Sequence, residues 1–260
     1  MTPAPASEGW GEVLEQLPAG PAEPCSYFPD RGHQLQGFRA DRNVPPELLE
    51  AALAHGFRRC GQVHYRARCP ACNLCLAYRV RPAAFRPGRN LRRVEARNRD
   101  VVSRVGAPRC TRVKEKIYLR YQHSRHYLHP GLRPARPFSP PAVLAAMRDQ
   151  MYTNPASTRE LELHLDGRLI GFGIMDVAVA AASLVYFVFD PDFGRRSLGT
   201  LNILRAIAWA GDRQLDYVYL GYYLPNHPKM SYKGRFGPAE ILNQDTGAWQ
   251  TAMPPLRGLT

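Results

Sequence analysis

The chain has 260 residues, 45% apolar and 22% charged, enough for one large globular domain or two modest ones. No stretch approaches the roughly 18 apolar residues of a membrane span. The opening "MTPAPASEGWGEVLEQL" lacks the basic start and apolar run of a secretory signal. A cytoplasmic protein with reduced thiols and no membrane partner is expected, and six cysteines are too few for a disulfide scaffold. Lys and Arg total 35 against 22 Asp and Glu, and the net +13 points to a polyanionic partner.

Residues 1–24, rich in Pro and Ala, are expected to be loosely ordered apart from a turn around Trp10 to Leu17. In "PPELLEAALAHG" (45–56) the prolines suit a first helical turn. Leu48, Leu49, Ala52 and Leu53 share a face, and Gly56 suits the position past the end. "QVHYRA" and "LAYRVRP" read as short strands flanking a cysteine cluster. Cys69, Cys72 and Cys75 form C-x2-C-x2-C, the spacing that lets one loop offer several thiolates to a metal. Cys25 in "PCSYFPDR" is the candidate fourth ligand, whereas Cys60 and Cys110 read as small core residues. Zinc and an iron–sulfur cluster both accept four thiolates, and three buried thiols without a metal fit the same spacing.

Residues 79–99 carry eight arginines (Arg79, Arg81, Arg86, Arg89, Arg92, Arg93, Arg97 and Arg99) and one acid, Glu95. The guanidinium fork suits phosphate, and Tyr65, Tyr78 and Phe85 stand near as stacking surfaces, so nucleic acid is favoured over a coding bias toward arginine. "TRVKEKIYLRYQHSRHYL" (111–128) has an apolar face at Val113, Ile117, Tyr121 and Leu128 and reads as a helix. "PARPFSPP" (134–141) reads as a linker, with Ser139 placed to cap a helix over 140–152.

In the second half, "RELELHLD" alternates, "DG" turns, and "RLIGFGIMDV" follows as a second strand. "ASLVYFVFD" is a third strand, expected to be buried because it is nearly all apolar. "RRSLGTLNILRAIAWAGDRQ" switches to helical period, with Leu198, Leu201, Leu204, Ile207 and Ala208 on one face, and "LDYVYLGYY" is a fourth strand. Three strands, a helix and a strand are the core order of a GNAT-type acyltransferase. There the loop before the helix, here "GRRSLGT", offers N–H groups to a phosphate of the acyl donor. An ordinary α/β domain with a Gly-containing turn fits as well. The fold class is therefore α/β (α+β): a tail over 1–24, an N-terminal cysteine- and arginine-rich module over 25–135, and a GNAT-like transferase domain over 136–260.

Several segments together resemble one family. They are "CSYFPDR" (25–31), "GFRRCGQVHYRARCPACNLCLAYRVRPAAFRPGRNLRRVEARN" (56–98), "YLRYQHSRH" (118–126), "VFDPDFGRRSLGT" (188–200) and "YVYLGYYLPNHPKMSYKGRFGPAEIL" (217–242). Over residues 25 to about 250 the chain resembles the arginyl- and leucyl-tRNA–protein transferases, in particular their short bacterial form. The resemblance implies transfer of an amino acid from aminoacyl-tRNA to the α-amine of proteins beginning with Asp or Glu, marking them for N-degron proteolysis. It also implies a cysteine module that binds an iron–sulfur cluster or zinc in some relatives, and no nucleotide cofactor. The segment between "NPASTRELEL" and "DVAVAAASL" departs from the family pattern, where an aromatic residue is expected before the first strand.

Aminolysis of an activated ester needs mainly a neutral amine held against the carbonyl. An α-amine titrates near 8, so no strong base is required; a polar group should steady the oxyanion and protonate the leaving ribose oxygen. Tyr219, Tyr222 and Tyr232 are the catalytic candidates, with His126 beside Arg125 as a further base. Candidate tRNA contacts are Arg89, Arg92, Arg93, Arg97, Arg195, Arg196, Lys229, Lys233 and Arg235. Arg58, Arg66 and Arg79 are candidates for the acidic acceptor residue. An arginyl donor would need a buried carboxylate, a leucyl donor only apolar walls. The strands that should line the pocket are apolar and carry carboxylates only at their ends, Asp176 and Asp190, so leucine is expected over arginine. The competing readings are an acetyl-CoA-dependent GNAT enzyme and a non-enzymatic RNA-binding zinc protein; the latter leaves "YLGYY" and "KMSYK" without a role.

Overall fold

In the computed structural model, residues 8–41, 43–127, 137–225 and 227–252 are described. Helix α1 (Glu8–Glu15) buries Leu14 against Ala51 and Ala52 of α2 (Pro46–Ala54) and against Phe57. Residues 8–24 are thus held rather than loose, because Glu15 also pairs with Arg66 and Arg68. Helix α2 starts after Pro45 and is released at Gly56, whose φ of +80° is left-handed. Strands β1 (Glu23–Pro24) and β2 (Gly32–His33) close the loop carrying Cys25. Strands β3 (Leu35–Arg39), β4 (Arg58–Cys60) and β5 (Val63–Ala67) form a small antiparallel sheet with β5 central.

The large sheet has eight strands: β6 (Leu76–Val80), β7 (Val101–Gly106), β8 (Thr158–Leu165), β9 (Arg168–Val177), β10 (Ala181–Phe189), β11 (Tyr217–Tyr223), β12 (Ala239–Leu242) and β13 (Trp249–Thr251). Their order is β13-β12-β6-β11-β10-β9-β8-β7, and only β10 and β11 run parallel. Asp166 and Gly167, with φ of 49° and 77°, make the tight β8–β9 turn that the "DG" pair predicts. The sheet draws on both predicted modules. β6 lies between β11 and β12 and so covers an edge of β11 that would otherwise be open, and β7 pairs with β8.

Helix α3 (Arg89–Arg97) and helix α6 (Leu198–Asp212) pack on one face, where Leu91, Ile203 and Leu204 meet Tyr78, Val80 and Val218. On the other face Ile117 and Tyr118 of α4 (Arg112–Gln122) and Met147 of α5 (Pro140–Met147) meet Phe172, Ile174 and Val188. Leu49 and Leu53 of α2 join Ala181 and Tyr219. The helix expected over 111–128 runs to Gln122 and continues as a π turn to Tyr127. Ser139 precedes α5 but makes no capping bond, and residues 134–136 of the predicted linker lie outside the described residues. Cys60 and Cys110 are exposed, not core: Cys60 ends an edge strand and Cys110 lies in the loop before α4. No helix among the described residues is long and apolar enough to cross a membrane.

One feature of the sheet positions the site. β10 and β11 pair only from Ala181–Ser183 against Tyr217–Tyr219, although β10 runs on to Phe189 and β11 to Tyr223. The register between β11 and β6 slips between Tyr219 and Gly221, where Gly221 has φ +73°. Past the slip the two strands share no ladder and a cleft opens. That is why Leu184 to Phe187 of β10 are half-buried, not fully buried as their apolar run predicts.

Candidate active site

The cleft is lined from three directions. β11 contributes Gly221 and Tyr222. β4 contributes Arg58, whose guanidinium lies 5.3 Å from the centre of the Tyr222 ring and 5.7 Å from that of Tyr65. The turn over Ser231–Arg235 contributes Tyr232 and Lys233. Lys233 is 6% exposed and donates to the Tyr222 carbonyl. Burial, and then the Arg58 charge, lower its ammonium to about 7. Nothing in "KMSYKGRFGP" separates this lysine from the exposed Lys229, so its burial was not legible in the sequence.

The tyrosines fall in different places. Tyr222 is 4% exposed, its hydroxyl oxygen accepts from the Ala67 N–H at 2.8 Å, and burial raises its pKa, so the phenol keeps its proton. Tyr219 packs edge-on to Trp249 and accepts from Arg79 at 3.1 Å, with burial pushing it up to about 12. Tyr219 therefore belongs to the core under α2 rather than to the cleft. Tyr232 is half-buried and raised by burial, close enough to Tyr121 and Arg58 to feel both. The side chain of His126 lies outside the described residues.

Of the three arginines considered for the acceptor, two are already engaged. Arg66 grips Glu15 with bonds of 2.6 and 2.7 Å and donates to Gln36 at 2.7 Å. Arg79 donates to Glu240 at 2.7 Å and is sandwiched 3.7 Å from the Tyr217 ring centre and 3.9 Å from that of Trp249. Among the described residues Arg58 is held only by ring faces, and it lies beside Gly221.

The predicted tRNA contacts divide in the same way. Arg89, Arg92, Arg93 and Arg97 are exposed on α3, and Arg195, Lys229 and Arg235 are exposed as well. Arg97 donates to the Arg195 carbonyl at 2.8 Å, joining α3 to the loop before α6, and Phe85 stacks on Phe236 beside the 231–235 turn. Arg196 is taken up by a bidentate pair with Asp100, and Lys233 is buried, so neither offers a free cation to a surface phosphate.

Cys25, Cys69, Cys72 and Cys75 line one cavity of about 140 Å³ with Tyr27 and Arg31. The Gln34 N–H donates to Cys69 Sγ at 3.5 Å and Arg31 to Cys72 Sγ at 3.7 Å, the donors that thiolate sulfurs accept around metals. Burial first, and then the neighbouring thiols, push the Cys75 thiol up to about 12. The donor set suits zinc or an iron–sulfur cluster in residue type. The side chains do not yet converge: among the described residues no three His, Cys, Asp or Glu groups stand together at metal-holding distance.

Both carboxylates weighed for an arginyl donor are occupied. Asp176 is bound by Arg59 at 2.6 and 2.8 Å, and Asp190 by Arg120 at 2.8 Å and Arg168 at 2.6 Å. A cavity of about 570 Å³ between α4, α5 and β10, lined by Tyr118, Val143, Ala146 and Tyr186 among others, has no charged residue in its described lining.

Residues 23–93 match the N-terminal and residues 113–243 the C-terminal part of the family described as arginine-tRNA-protein transferase. Relatives named aspartate/glutamate leucyltransferase include those of Leptospira interrogans serovar copenhageni, 37% identical over 88% of this chain and 87% of that one, and of Ruegeria pomeroyi, 38% identical over 90% and 82%. Among solved structures, the C-terminal domain of a lysylphosphatidylglycerol synthetase from Agrobacterium fabrum is similar at a TM-score of 0.42 and 18% identity, over 70% of this chain and 53% of that one. FemX is similar at 0.42 and 8%, over 74% and 64%.

Proposed function

The chain belongs to the arginyl- and leucyl-tRNA–protein transferase family, and on that premise we propose that it moves leucine, in preference to arginine, from its ester on tRNA to the α-amine of proteins beginning with Asp or Glu. The observation that carries this reading is 37–38% identity to aspartate/glutamate leucyltransferases along 88–90% of the chain. The geometry supports each part. The splayed β10/β11 cleft gives the ester a place beside Gly221, and the exposed arginines of α3 track the tRNA backbone. With Asp176 and Asp190 already paired and the nearby cavity uncharged, no free carboxylate is left to hold an arginyl donor side chain. The acceptor amine attacks the ester carbonyl, the amide forms, and the ribose oxygen leaves with a proton; holding the amine against the ester supplies most of the acceleration. Tyr232 is the hydroxyl best placed to serve the leaving oxygen.

Cys25, Cys69, Cys72 and Cys75 would hold zinc or an iron–sulfur cluster, which when bound would clamp the cysteine loop to the cleft wall through Tyr222 and Ala67. The reaction belongs in the cytoplasm, where charged tRNA is found, and the product enters N-degron proteolysis. The test is transfer of labelled leucine and arginine from charged tRNA to Asp- and Glu-starting peptides, with acetyl-CoA as a parallel donor. Leucyl transfer is expected; acetylation without aminoacyl transfer would replace the reading with the coenzyme A-dependent one.

A further inference from the structure

Among the described residues five Lys or Arg are buried: Arg59, Arg66, Arg79, Lys114 and Lys233. Four face a carboxylate within the protein, Arg59 with Asp176, Arg66 with Glu15, Arg79 with Glu240 and Lys114 with Glu160. Lys233 is the exception. Among the described residues it meets no acid, and the charge that bears on it is another cation, Arg58. Burying an ammonium without a counter-charge is costly, so such a site is built for a partner that arrives from outside.

The two cations meet at one glycine. A Cβ added to Gly221 would lie 3.6 Å from Arg58 Nη1 and 3.7 Å from Lys233 Nζ. Both cationic heads therefore stand close to the one position of the β11 slip that has no side chain. Arg58 is half-buried, and Lys233 is anchored to the Tyr222 carbonyl.

We propose that Arg58 and Lys233 together seat the side-chain carboxylate of the acceptor's first residue, over Gly221. This rests on the transferase reading above. It assigns Lys233 to acceptor selection instead of to tRNA, and it explains acceptance of both acids. Arg58 rests on ring faces, not directional bonds, so its fork can shift by the methylene that separates Asp from Glu. An uncharged first residue leaves Arg58 unpaired and gives Lys233 no partner, which is how a buried polar site rejects a near-isostere. In the free protein Lys233 is lowered to about 7, so at pH 8 it is mostly neutral and gains a proton when the carboxylate arrives. The other titratable groups around it, Tyr65 on β5, Tyr222 on β11 and Tyr232 on its own turn, are raised and keep their protons, and Arg58 stays charged.

The experiment compares Asp- and Asn-starting peptides of otherwise identical sequence. In Lys233→Met and in Arg58→Met, KM for the Asp-starting peptide should rise at least about 30-fold. The Kd for charged tRNA should be unchanged, and the Asp:Asn preference should collapse. Variants that keep the wild-type Asp:Asn ratio overturn the carboxylate seat and leave the transferase reading standing; a wild type that transfers to neither acidic peptide overturns the reading itself. Melting curves report whether Lys233→Met folds. If it does not, calorimetry on the wild type at pH 8, in two buffers of different ionisation enthalpy, decides. The Asp-starting peptide should take up about one proton more than the Asn-starting one. Equal uptake overturns the proposal.

Discussion

Asp176 shows how much of a residue's role depends on a partner far away in the chain. It looks like a free strand-end acid, but its carboxylate is bound by Arg59, 117 residues earlier, and by Thr158 at 2.8 Å. Asp176→Asn leaves Arg59 buried without a counter-charge, and a loss of about 3–5 kcal/mol in denaturant unfolding is expected, with no change of donor from leucine to arginine. A stable variant that switched donor would refute this assignment. Arg66 and Arg79 were unreadable for the same reason, since Glu15 and Glu240 lie 51 and 161 residues away. His64 carries a second expectation. It is 1% exposed, stacked 4.9 Å from Phe38, and neither ring nitrogen has a hydrogen-bond partner. Burial lowers it from 6.5 to about 4, with Asp176 opposing and Arg59 reinforcing the shift. Folding thus favours the neutral ring: its contribution is complete above pH 6.5 and disappears as pH falls through about 4, a change of about 3 kcal/mol. His64→Phe keeps the stack and has no proton to gain, so its unfolding free energy should fall less than the wild type's between pH 7 and 4. Equal slopes would mean that His64 is not the linked group.

At the scale of elements, local signals carried most of the reading. Alternation, a "DG" turn and a switch to helical period place β8, β9, β10, α6 and β11 within a few residues of their ends, because each is specified by its own side-chain period. "LAYRV" was legible as a strand but not its seat between β11 and β12, since the pairing that puts Ala77 opposite Tyr222 joins segments with no local link. The cleft was hidden for a related reason. An apolar strand reads as buried, and only the loss of pairing beyond Ser183 leaves the middle of β10 half-open. Gly221 marks that point. Gly221→Ala puts a side chain at φ +73°, which costs about 1 kcal/mol of stability. The new methyl stands at ordinary contact distance from Arg58 and Lys233, so the fold should survive while the acceptor KM rises and tRNA affinity is kept. An unchanged acceptor KM in a folded Gly221→Ala protein would show that the space above this residue is not used.

For the whole molecule, net +13 points to a polyanionic partner but not to where it would sit. The fold adds the place, by separating cations that the protein has already neutralised from those it presents to solvent. Arg89, Arg92, Arg93 and Arg97 project from α3 beside Arg195, while Arg196 is held by Asp100 and Lys233 is buried. Counterion release makes the slope of log affinity against log salt a count of phosphates neutralised, and each contact contributes a slope of about 0.7–0.9. Arg92→Ala/Arg93→Ala should therefore weaken tRNA binding at low salt and flatten that slope by roughly 1.4–1.8. Removing Arg196 should leave it unchanged, although it also deletes one positive charge from a chain whose net is +13. A bulk-charge effect would treat all three arginines alike, because it depends only on the total. Equal flattening per charge by Arg196→Ala and by the α3 pair would thus argue that the whole surface attracts tRNA without a defined track; flattening by the α3 pair alone would locate the track on that helix.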